Sequence, residues 1–323
     1  MEQTILYLSK ADVEAINVPM DQIIAAIEAM FREKGEGRVE MPPKPGVHPR
    51  PDSFIHAMPA YIPSLKSAGM KWVSGFPENI RKGLPYISGL IILNDPETGI
   101  PLSVMDCTWI TAKRTGAATA VAAKYLARPD SKIVGILGCG VQGRSNLEAL
   151  KFLFPVDRVM AYDTNRVAQE LYAADMANRL GIEVRPVRTP REAVSGCDLV
   201  VTAGPILKTP HATIQAGWLE EGAFASLVDY DSYWHRDALK AADKFCTDDI
   251  PQLEYYKTIG YFQAIPPVYA DLGELAAGRK PGRVNPAERT IACNLGLALD
   301  DVATAPLVFK LAIGKGLGTR LPL

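Results

Sequence analysis

A glycine-rich turn between an apolar run and a helix constrains the fold of this chain more than any other feature. Gly138, Gly140 and Gly143 have the spacing G-x-G-x-x-G, directly after the run KIVGIL and before a helical pattern from Gln142. The first glycine permits the tight turn, the second lets the backbone approach a pyrophosphate, and the third lets helix and strand pack closely. The next strand, RVMAYD, ends in Asp163 about 20 residues later, where a carboxylate can bind a ribose. These features predict a dinucleotide-binding βαβ unit; the alternative is a glycine-rich turn that binds nothing.

The residue at the end of that second strand also bears on which dinucleotide is bound. An acid at position 163 favours NAD(H), because the 2'-phosphate of NADP(H) would face a carboxylate. Arg166 lies three residues further on and leaves NADP(H) as the alternative. Cys139, between two glycines, is interpreted as a small side chain tolerated in the turn rather than as a redox group.

The rest of the chain divides by its hydrophobic pattern. Residues 20–31 have apolar side chains at helical spacing, and residues 41–106 alternate extended runs with Pro/Gly turns, which predicts a mostly antiparallel sheet. From Lys132 strands and helices alternate, which predicts a parallel sheet. The last pattern, NLGLALDDVATAPLVFKLAIGKGLG, predicts a long helix that returns to the first part of the fold.

Composition excludes several classes of function. With 35 Lys+Arg against 36 Asp+Glu, the net charge of -1 indicates neither a nucleic-acid surface nor an electrostatic membrane patch. The five scattered cysteines contain no C-x-x-C pair, so no metal site and no disulfide framework is predicted. No signal peptide and no apolar stretch near the roughly 18 residues of a membrane span is found, so we expect a cytoplasmic protein.

Two positively charged residues, Arg114 and Lys71, lie within segments whose other residues are mostly apolar. Arg114 heads a stripe of apolar residues on a small-residue helix, so it needs an anion: either a substrate carboxylate or an Asp or Glu of the sheet lobe. Lys71, in GMKWVSGFPEN, shares a strand face with Val73 while Met70 and Trp72 take the other. Because neither face is plainly solvent-facing, the pattern alone does not separate a catalytic lysine from a surface lysine.

In matching order along nearly the whole chain, several motifs make the sequence resemble the ornithine cyclodeaminase/mu-crystallin family. They are MPPK (41–44), AMPAY (57–61), MKWVSGFPEN (70–79), ITAKRTGAATAVAAKYLARPD (110–130), GCGVQG (138–143) and GLALDD (296–301). Within the family, MPPK and KGLP (82–85) most resemble archaeal-type alanine dehydrogenases and related imino acid reductases of the ketimine and iminosuccinate type.

The resemblance implies an α/β fold with a central Rossmann domain and a mostly antiparallel α+β lobe, built from both chain ends, for substrate binding and dimerisation. We place the substrate and dimerisation lobe in residues 1–116, the NAD-binding domain in residues 117–300, and a C-terminal helix in residues 301–323. Members of the family are typically homodimers that bind substrate in the cleft between lobes.

The resemblance also assigns roles to residues. Lys71 becomes the catalytic lysine, Arg114 and Lys44 the groups at the substrate carboxylate, and Asp231 the aspartate at the substrate nitrogen, with Asp229 as its competitor. At position 56 cyclodeaminases have Glu and alanine dehydrogenases Arg, whereas this chain has His56, a further substrate-binding residue. The predicted cofactor-binding set is Thr115, Gly138, Gly140, Val141, Gln142, Gly143, Asp163, Thr164, Thr202 and Gly204.

These assignments imply an NAD(P)H-dependent reduction of a small α-imino acid to the L-amino acid, with an amino, imino or keto acid and ammonia as reactants. A second carboxylate on the substrate, as in iminosuccinate, would use the donors near His56; otherwise pyruvate/alanine or a cyclic ketimine fits. One alternative is a cyclodeaminase with bound NAD, which His56 in place of Glu argues against. Another is a non-catalytic, crystallin-like binding protein, which the presence of Lys71 and Arg114 argues against.

Overall fold

The structure is a computed structural model that describes residues 3–323. The chain forms two compact units. One comprises the described residues up to Arg114 together with Leu297–Leu323, and the other comprises Thr115–Gly296.

The first unit begins with a strand, which is followed by two helices and a run of further strands. Its elements are β1 (Thr4–Leu8), α1 (Lys10–Ile16), α2 (Met20–Gly35), β2 (Gly46–Val47), β3 (Phe54–Ile62), β4 (Ser67–Gly75), β5 (Ile87–Asn94), β6 (Pro101–Asp106) and the start of α3 (Thr108–Leu126). The apolar stripe predicted for α2 is buried, from Met20 to Phe31.

The second unit alternates strands and helices around a parallel sheet. Its elements after α3 are β7 (Ile133–Leu137), α4 (Val141–Leu153), β8 (Arg158–Tyr162), α5 (Arg166–Leu180), β9 (Glu183–Pro186), β10 (Leu199–Thr202), β11 (Phe224–Leu227), α6 (Arg236–Lys240), β12 (Lys244–Thr247), α7 (Ile250–Thr258), β13 (Ala270–Asp271), α8 (Leu272–Ala276) and β14 (Thr290–Cys293).

This sheet has the strand order β13-β12-β14-β11-β10-β7-β8-β9, and all its pairs are parallel. Strands β10, β11, β12 and β14 are buried along their whole length, as expected for a parallel sheet that is covered on both faces. The chain runs outward in opposite directions from β7 and β10. Ligands of such sheets bind at the carboxyl ends of the strands where the order reverses.

The chain then returns to the first unit through α9 (Ala298–Lys315) and β15 (Thr319–Pro322). The first sheet has the order β15-β1-β6-β5-β4-β3-β2 and is antiparallel except for the β1/β6 pair. Helix α9 packs across β3, β4 and β5. The fold is therefore the α/β combination of a Rossmann-like parallel sheet and a mostly antiparallel lobe from both chain ends.

Some details differ from the sequence pattern. The pattern predicts no strand after the last helix, yet β15 pairs with β1, and its fully exposed residues explain why no apolar alternation marks it. The domain boundaries predicted from the sequence, after residues 116 and 300, stay predictions. The compact units divide after Arg114, inside α3, and after Gly296, so that Asp300 belongs to the first unit.

Within residues 3–323, none of the helices is long and apolar enough to cross a membrane. Over the same range, no group of three or more His, Cys, Asp or Glu side chains is arranged to hold a metal ion.

Candidate functional site

Lys71 lies at the centre of a buried ion-pair network in the first unit. It is 1% exposed on β4, and its Nζ atom is 2.5 Å from Oδ2 of Asp301 and 3.5 Å from Oγ1 of Thr111. Val73 is buried on the same strand face, whereas Trp72 on the other face is 46% exposed. The tertiary structure thus decides the question that the strand pattern left open: Lys71 is on the face that α9 covers.

Arg114 belongs to the same network. Its Nη1 atom is 3.1 Å from Oδ2 of Asp300 and its Nε atom is 3.1 Å from Oδ1 of Asp301. Both aspartates are fully buried in the first turn of α9. The structural ion pair that the sequence offered as one partner for Arg114 is therefore present, and the role of Arg114 at a substrate carboxylate stays a prediction.

Burial and the charges within this network shift the pKa values of Lys71 and Asp300. Burial lowers the pKa of Lys71, the neighbouring Arg114 guanidinium lowers it further, and the Asp301 carboxylate opposes both effects. Burial raises the pKa of Asp300 against the attraction of Arg114. A lysine with a lowered pKa can give up its proton near neutral pH more readily than a solvated one, which is what general acid catalysis requires.

His56 lies on β3 of the same unit in a tight aromatic setting. Its ring stacks on Phe54, with 4.3 Å between centroids, and contacts His48 edge-on at 6.0 Å. Gly46, its register partner on β2, leaves room for the ring, because a Cβ atom there would lie 2.2 Å from Cδ2 of His56. Burial, followed by the charges of Lys44 and His48, lowers the pKa of His56 to about 3, so the imidazole is neutral.

Lys44, the other predicted substrate residue of this unit, is 8% exposed. It is the charged neighbour with the largest effect on His56. The structure therefore brings the buried cations Lys44, Lys71 and Arg114 and the half-buried, neutral His56 within electrostatic reach of one another in the first unit.

The glycine-rich turn lies in the second unit, at the reversal of strand order. Gly138 has φ +105°, and a Cβ atom there would be 2.5 Å from the carbonyl oxygen of Ala203. A Cβ atom on Gly143 would be 2.2 Å from the carbonyl oxygen of Gly138, whereas one on Gly140 would meet open space. The turn thus has one glycine for the bend, one for packing, and one that leaves the start of α4 open to a ligand.

Asp163 connects the next strand to this turn. Its Oδ2 atom accepts a hydrogen bond from the backbone N–H of Cys139 at 2.8 Å, and its Oδ1 atom accepts one from Asn165 at 2.8 Å. Thr164 and Arg166 are exposed beside it. Burial raises the pKa of the Cys139 thiol to about 12, which makes a redox role unfavourable.

The segment after β10 carries two further predicted cofactor residues. Thr202 donates a hydrogen bond from Oγ1 to Oδ1 of Asp229 at 2.6 Å, and the N–H of Gly204 donates to Oδ2 of Asp229 at 2.8 Å. Burial raises the pKa of Asp229 to about 7 even though these two hydrogen bonds oppose it. Asp229 is fully buried, whereas Asp231 is 3% exposed and its pKa is also raised by burial. Two hydrogen bonds thus hold the carboxylate of Asp229 against this segment, and the role of Asp231 at a substrate nitrogen stays a prediction.

The remaining predicted cofactor residues are in the same unit. Val141 is the first residue of α4 and is 65% exposed, and Gln142 follows it, with its backbone oxygen accepting a hydrogen bond from Asn146 at 2.8 Å. Thr115 is 7% exposed in α3.

Sequence reasoning missed Asp300 and Asp301 as site residues, although it used GLALDD as a family motif. The signal that could have found them is the adjacent acidic pair inside an otherwise apolar helical pattern. Carboxylates buried there need cations. Arg114 was the available cation, because the sequence already predicted that this arginine needs an anion.

A parallel sheet with a glycine-rich turn at its reversal point, and an acid at the end of the following strand, defines a dinucleotide-binding α/β protein. The model of the ornithine cyclodeaminase/mu-crystallin family matches residues 3–316, and the chain belongs to that family.

Three relatives match nearly the whole chain. The alanine dehydrogenase of Archaeoglobus fulgidus is 38% identical over 325 residues, covering 98% of each chain. The structure of Delta(1)-pyrroline-2-carboxylate reductase from Thermococcus litoralis, in complex with NADH and L-proline, is 34% identical with a TM-score of 0.88, covering 98% of this chain and 100% of that one. An archaeal alanine dehydrogenase dimer with bound NAD is 36% identical with a TM-score of 0.88, covering 99% and 100%.

Proposed function

We propose that this chain is an NAD(H)-dependent reductase that converts a small α-imino acid to the L-amino acid, or catalyses the reverse reaction as an amino-acid dehydrogenase. The buried ammonium of Lys71, held by Asp301 beside Arg114, carries the proposal. A buried ammonium is costly unless it is paired, and a buried titratable group whose pKa is shifted beside a specific charged partner is a candidate for a functional site. The relatives named alanine dehydrogenase and pyrroline-2-carboxylate reductase act on substrates of this class and support it.

The residues of the second unit fit NAD(H). The open space at Gly140 and the start of α4 suit a pyrophosphate, and Asp163 suits an adenosine ribose without a 2'-phosphate. We propose that Thr115, Thr164, Thr202 and Gly204 line the rest of the cofactor. NADH, when bound, supplies the hydride that reduces the imine carbon.

On the substrate side, we propose that the ammonium of Lys71 donates the proton that the substrate nitrogen gains. Its lowered pKa favours that donation, and Asp301 fixes its position. Arg114 and Lys44 are proposed to attract the substrate carboxylate, and Asp231 to stabilise positive charge on the substrate nitrogen. No metal ion is required in this scheme.

The state of His56 narrows the proposed substrate. Since its pKa is about 3, it adds no positive charge at neutral pH and offers one donor and one acceptor nitrogen. A neutral imidazole against Phe54 suits an uncharged side chain better than a second carboxylate. We therefore favour an alanine-type imine, formed from pyruvate and ammonia, or a cyclic ketimine over iminosuccinate.

We also propose that the chain forms a homodimer in the cytoplasm, as the archaeal alanine dehydrogenase is a dimer. Trp72 and its register partner Leu90 are 46% and 41% exposed on one face of the first sheet, an apolar surface that a second copy can cover. The five cysteines are free and buried, which suits a reducing compartment.

The test of the activity is consumption of NADH with three offered substrates: pyruvate plus ammonium, oxaloacetate plus ammonium, and Delta(1)-pyrroline-2-carboxylate. We expect NADH oxidation with the first or the third. Release of ammonia from ornithine without net NADH oxidation would instead establish a cyclodeaminase, and inactivity with every imine would leave a binding protein.

Replacement of the lysine tests its role directly. Lys71→Met should lower kcat by about 10²–10⁴-fold, the usual contribution of a general acid, while NADH binding is retained. Lys10→Met, at a lysine whose side chain is 64% exposed, is the matched control and should behave as the wild type. Unchanged turnover in Lys71→Met would remove this lysine from the mechanism.

A further inference from the structure

Residues 229–233, which follow β11, hold the segment of residues 204–207 that follows β10. Asp229 accepts a hydrogen bond from the N–H of Gly204 at 2.8 Å. The Oγ atom of Ser232 accepts one from the N–H of Leu207 at 2.9 Å, and the hydroxyl of Tyr233 donates to the carbonyl oxygen of Pro205 at 3.1 Å. Three side chains of one short turn thus hold one short segment at three points.

The held segment adjoins the glycine-rich turn. Ala203, which precedes it, has its carbonyl oxygen 2.5 Å from where a Cβ atom of Gly138 would lie, so only glycine allows this approach. Strands β10 and β7 are parallel neighbours, and both segments leave their carboxyl ends at the reversal of strand order. The position of residues 204–207 therefore bears on any dinucleotide bound there.

The turn that holds this segment has an unusual backbone at its centre. Tyr230, between Asp229 and Asp231, has φ +64°, in the left-handed region that a bulky side chain rarely occupies. Such a conformation persists where surrounding contacts enforce it, and these positions cluster at functional sites.

The ring of Tyr230 supplies those contacts. It is 5% exposed and lies 4.9 Å from the ring of Phe262, 5.5 Å from that of Tyr256 and 5.8 Å from that of Tyr261. The ring is thus fixed in an aromatic cluster while the residues on either side of it carry the two carboxylates.

We infer that Tyr230 is a positioning residue for the cofactor. Its anchored ring imposes the left-handed turn, and the turn sets both the direction of Asp231 and the place of residues 204–207 against the nicotinamide half of the dinucleotide. This inference rests on the proposed function for its cofactor, but it assigns to Tyr230 a role that does not depend on which imine is reduced.

The test separates the ring from the backbone conformation. Tyr230→Gly tolerates φ +64° but loses the anchor, and it should raise the Kd for NADH and lower kcat/KM by about 100-fold, the usual cost of a small misplacement. Tyr230→Phe restores the ring and should regain most of both. Tyr255→Ala is the matched control. Tyr255 also packs on Tyr256 but is 39% exposed, and its loss should leave NADH binding unchanged.

The outcomes are distinct. Wild-type NADH affinity and kcat/KM in Tyr230→Gly would overturn the inference, because the ring would then be dispensable. If Tyr230→Gly does not fold, Tyr261→Leu is used as the test variant instead, because it removes one of the aromatic rings that contact Tyr230. A raised Kd for NADH at an unchanged Tm supports the inference, and wild-type values overturn it. A wild-type protein that binds NADH but reduces no imine would refute the proposed function alone, because the NADH comparison needs no substrate.

Discussion

Asp301→Asn is the perturbation for which the structure gives the clearest expectation. The substitution keeps the shape of the side chain but removes the charge 2.5 Å from the ammonium of Lys71, which is 1% exposed. Removal of one partner of a buried ion pair typically costs about 3–5 kcal/mol, because the other charge stays buried without compensation. For a unit of this size, that loss corresponds to a fall of roughly 6–20 °C in Tm.

The pH dependence of this loss has a definite sign. The pKa of Lys71 is already below its usual value, and removal of Asp301 takes away the carboxylate that opposes the shift, so the pKa falls further. A base with a lowered pKa in the folded state destabilises that state fully at pH values below the folded pKa. The loss disappears as the pH rises towards the unfolded pKa, near 10.4. The difference in Tm between Asp301→Asn and the wild type should therefore be larger at about pH 6 than at about pH 9.

Thermal unfolding followed by circular dichroism at these two pH values measures both effects. The matched control is Glu14→Gln, which breaks the exposed pair between Lys10 and Glu14 at 3.7 Å and should change stability by no more than about 0.5 kcal/mol. A wild-type Tm for Asp301→Asn at both pH values would refute the reasoning that Asp301 sustains the charge of Lys71.

Three further predictions concern the second unit. Because burial raises the pKa of Asp229 from 3.8 to about 7, its contribution to stability is present below about pH 4 and is lost, by up to about 4 kcal/mol, as the pH rises to about 7. In urea unfolding, Asp229→Asn should lack this part of the pH dependence, and identical pH profiles would contradict the assignment. Asp163→Ala should lower the ratio of NADH to NADPH affinity measured by fluorescence titration; an unchanged ratio would exclude Asp163 from cofactor selection. Since burial raises the pKa of Cys139 to about 12, iodoacetamide should leave this thiol unlabelled in the folded protein by mass spectrometry, and rapid labelling would show that the turn opens.

The short-range sequence pattern was sufficient to predict those parts of the fold that depend on residues close together in the chain. The stripe of α2, the alternation of strands and helices from β7 onward, and the glycine spacing all depend on contacts within a few residues. The N-terminal cap of α1 is equally local, because Oγ of Ser9 accepts a hydrogen bond from the N–H of Asp12 at 3.2 Å. The short exposed strand β15 was not predictable in this way, since its only structural signal is the partner β1 at the opposite end of the chain.

The partners of the candidate site required the tertiary structure. Arg114 and Asp301 are 187 positions apart, and nothing in the local pattern of either residue identifies the other. The choice between Asp229 and Asp231 depends likewise on Thr202 and Gly204, which belong to a neighbouring strand and the loop after it.

The sequence by itself predicted a glycine-rich turn of the dinucleotide-binding type and an arginine turned away from solvent, because residue type and short-range spacing indicate both. It left the status of Lys71 open, since alternation along a strand separates two faces without saying which one is covered. Only the packing of α9 across β3 and β4 decided that the face of Lys71 is the buried one. An ammonium there is stable only beside a carboxylate, and the helix that buries it also supplies Asp301.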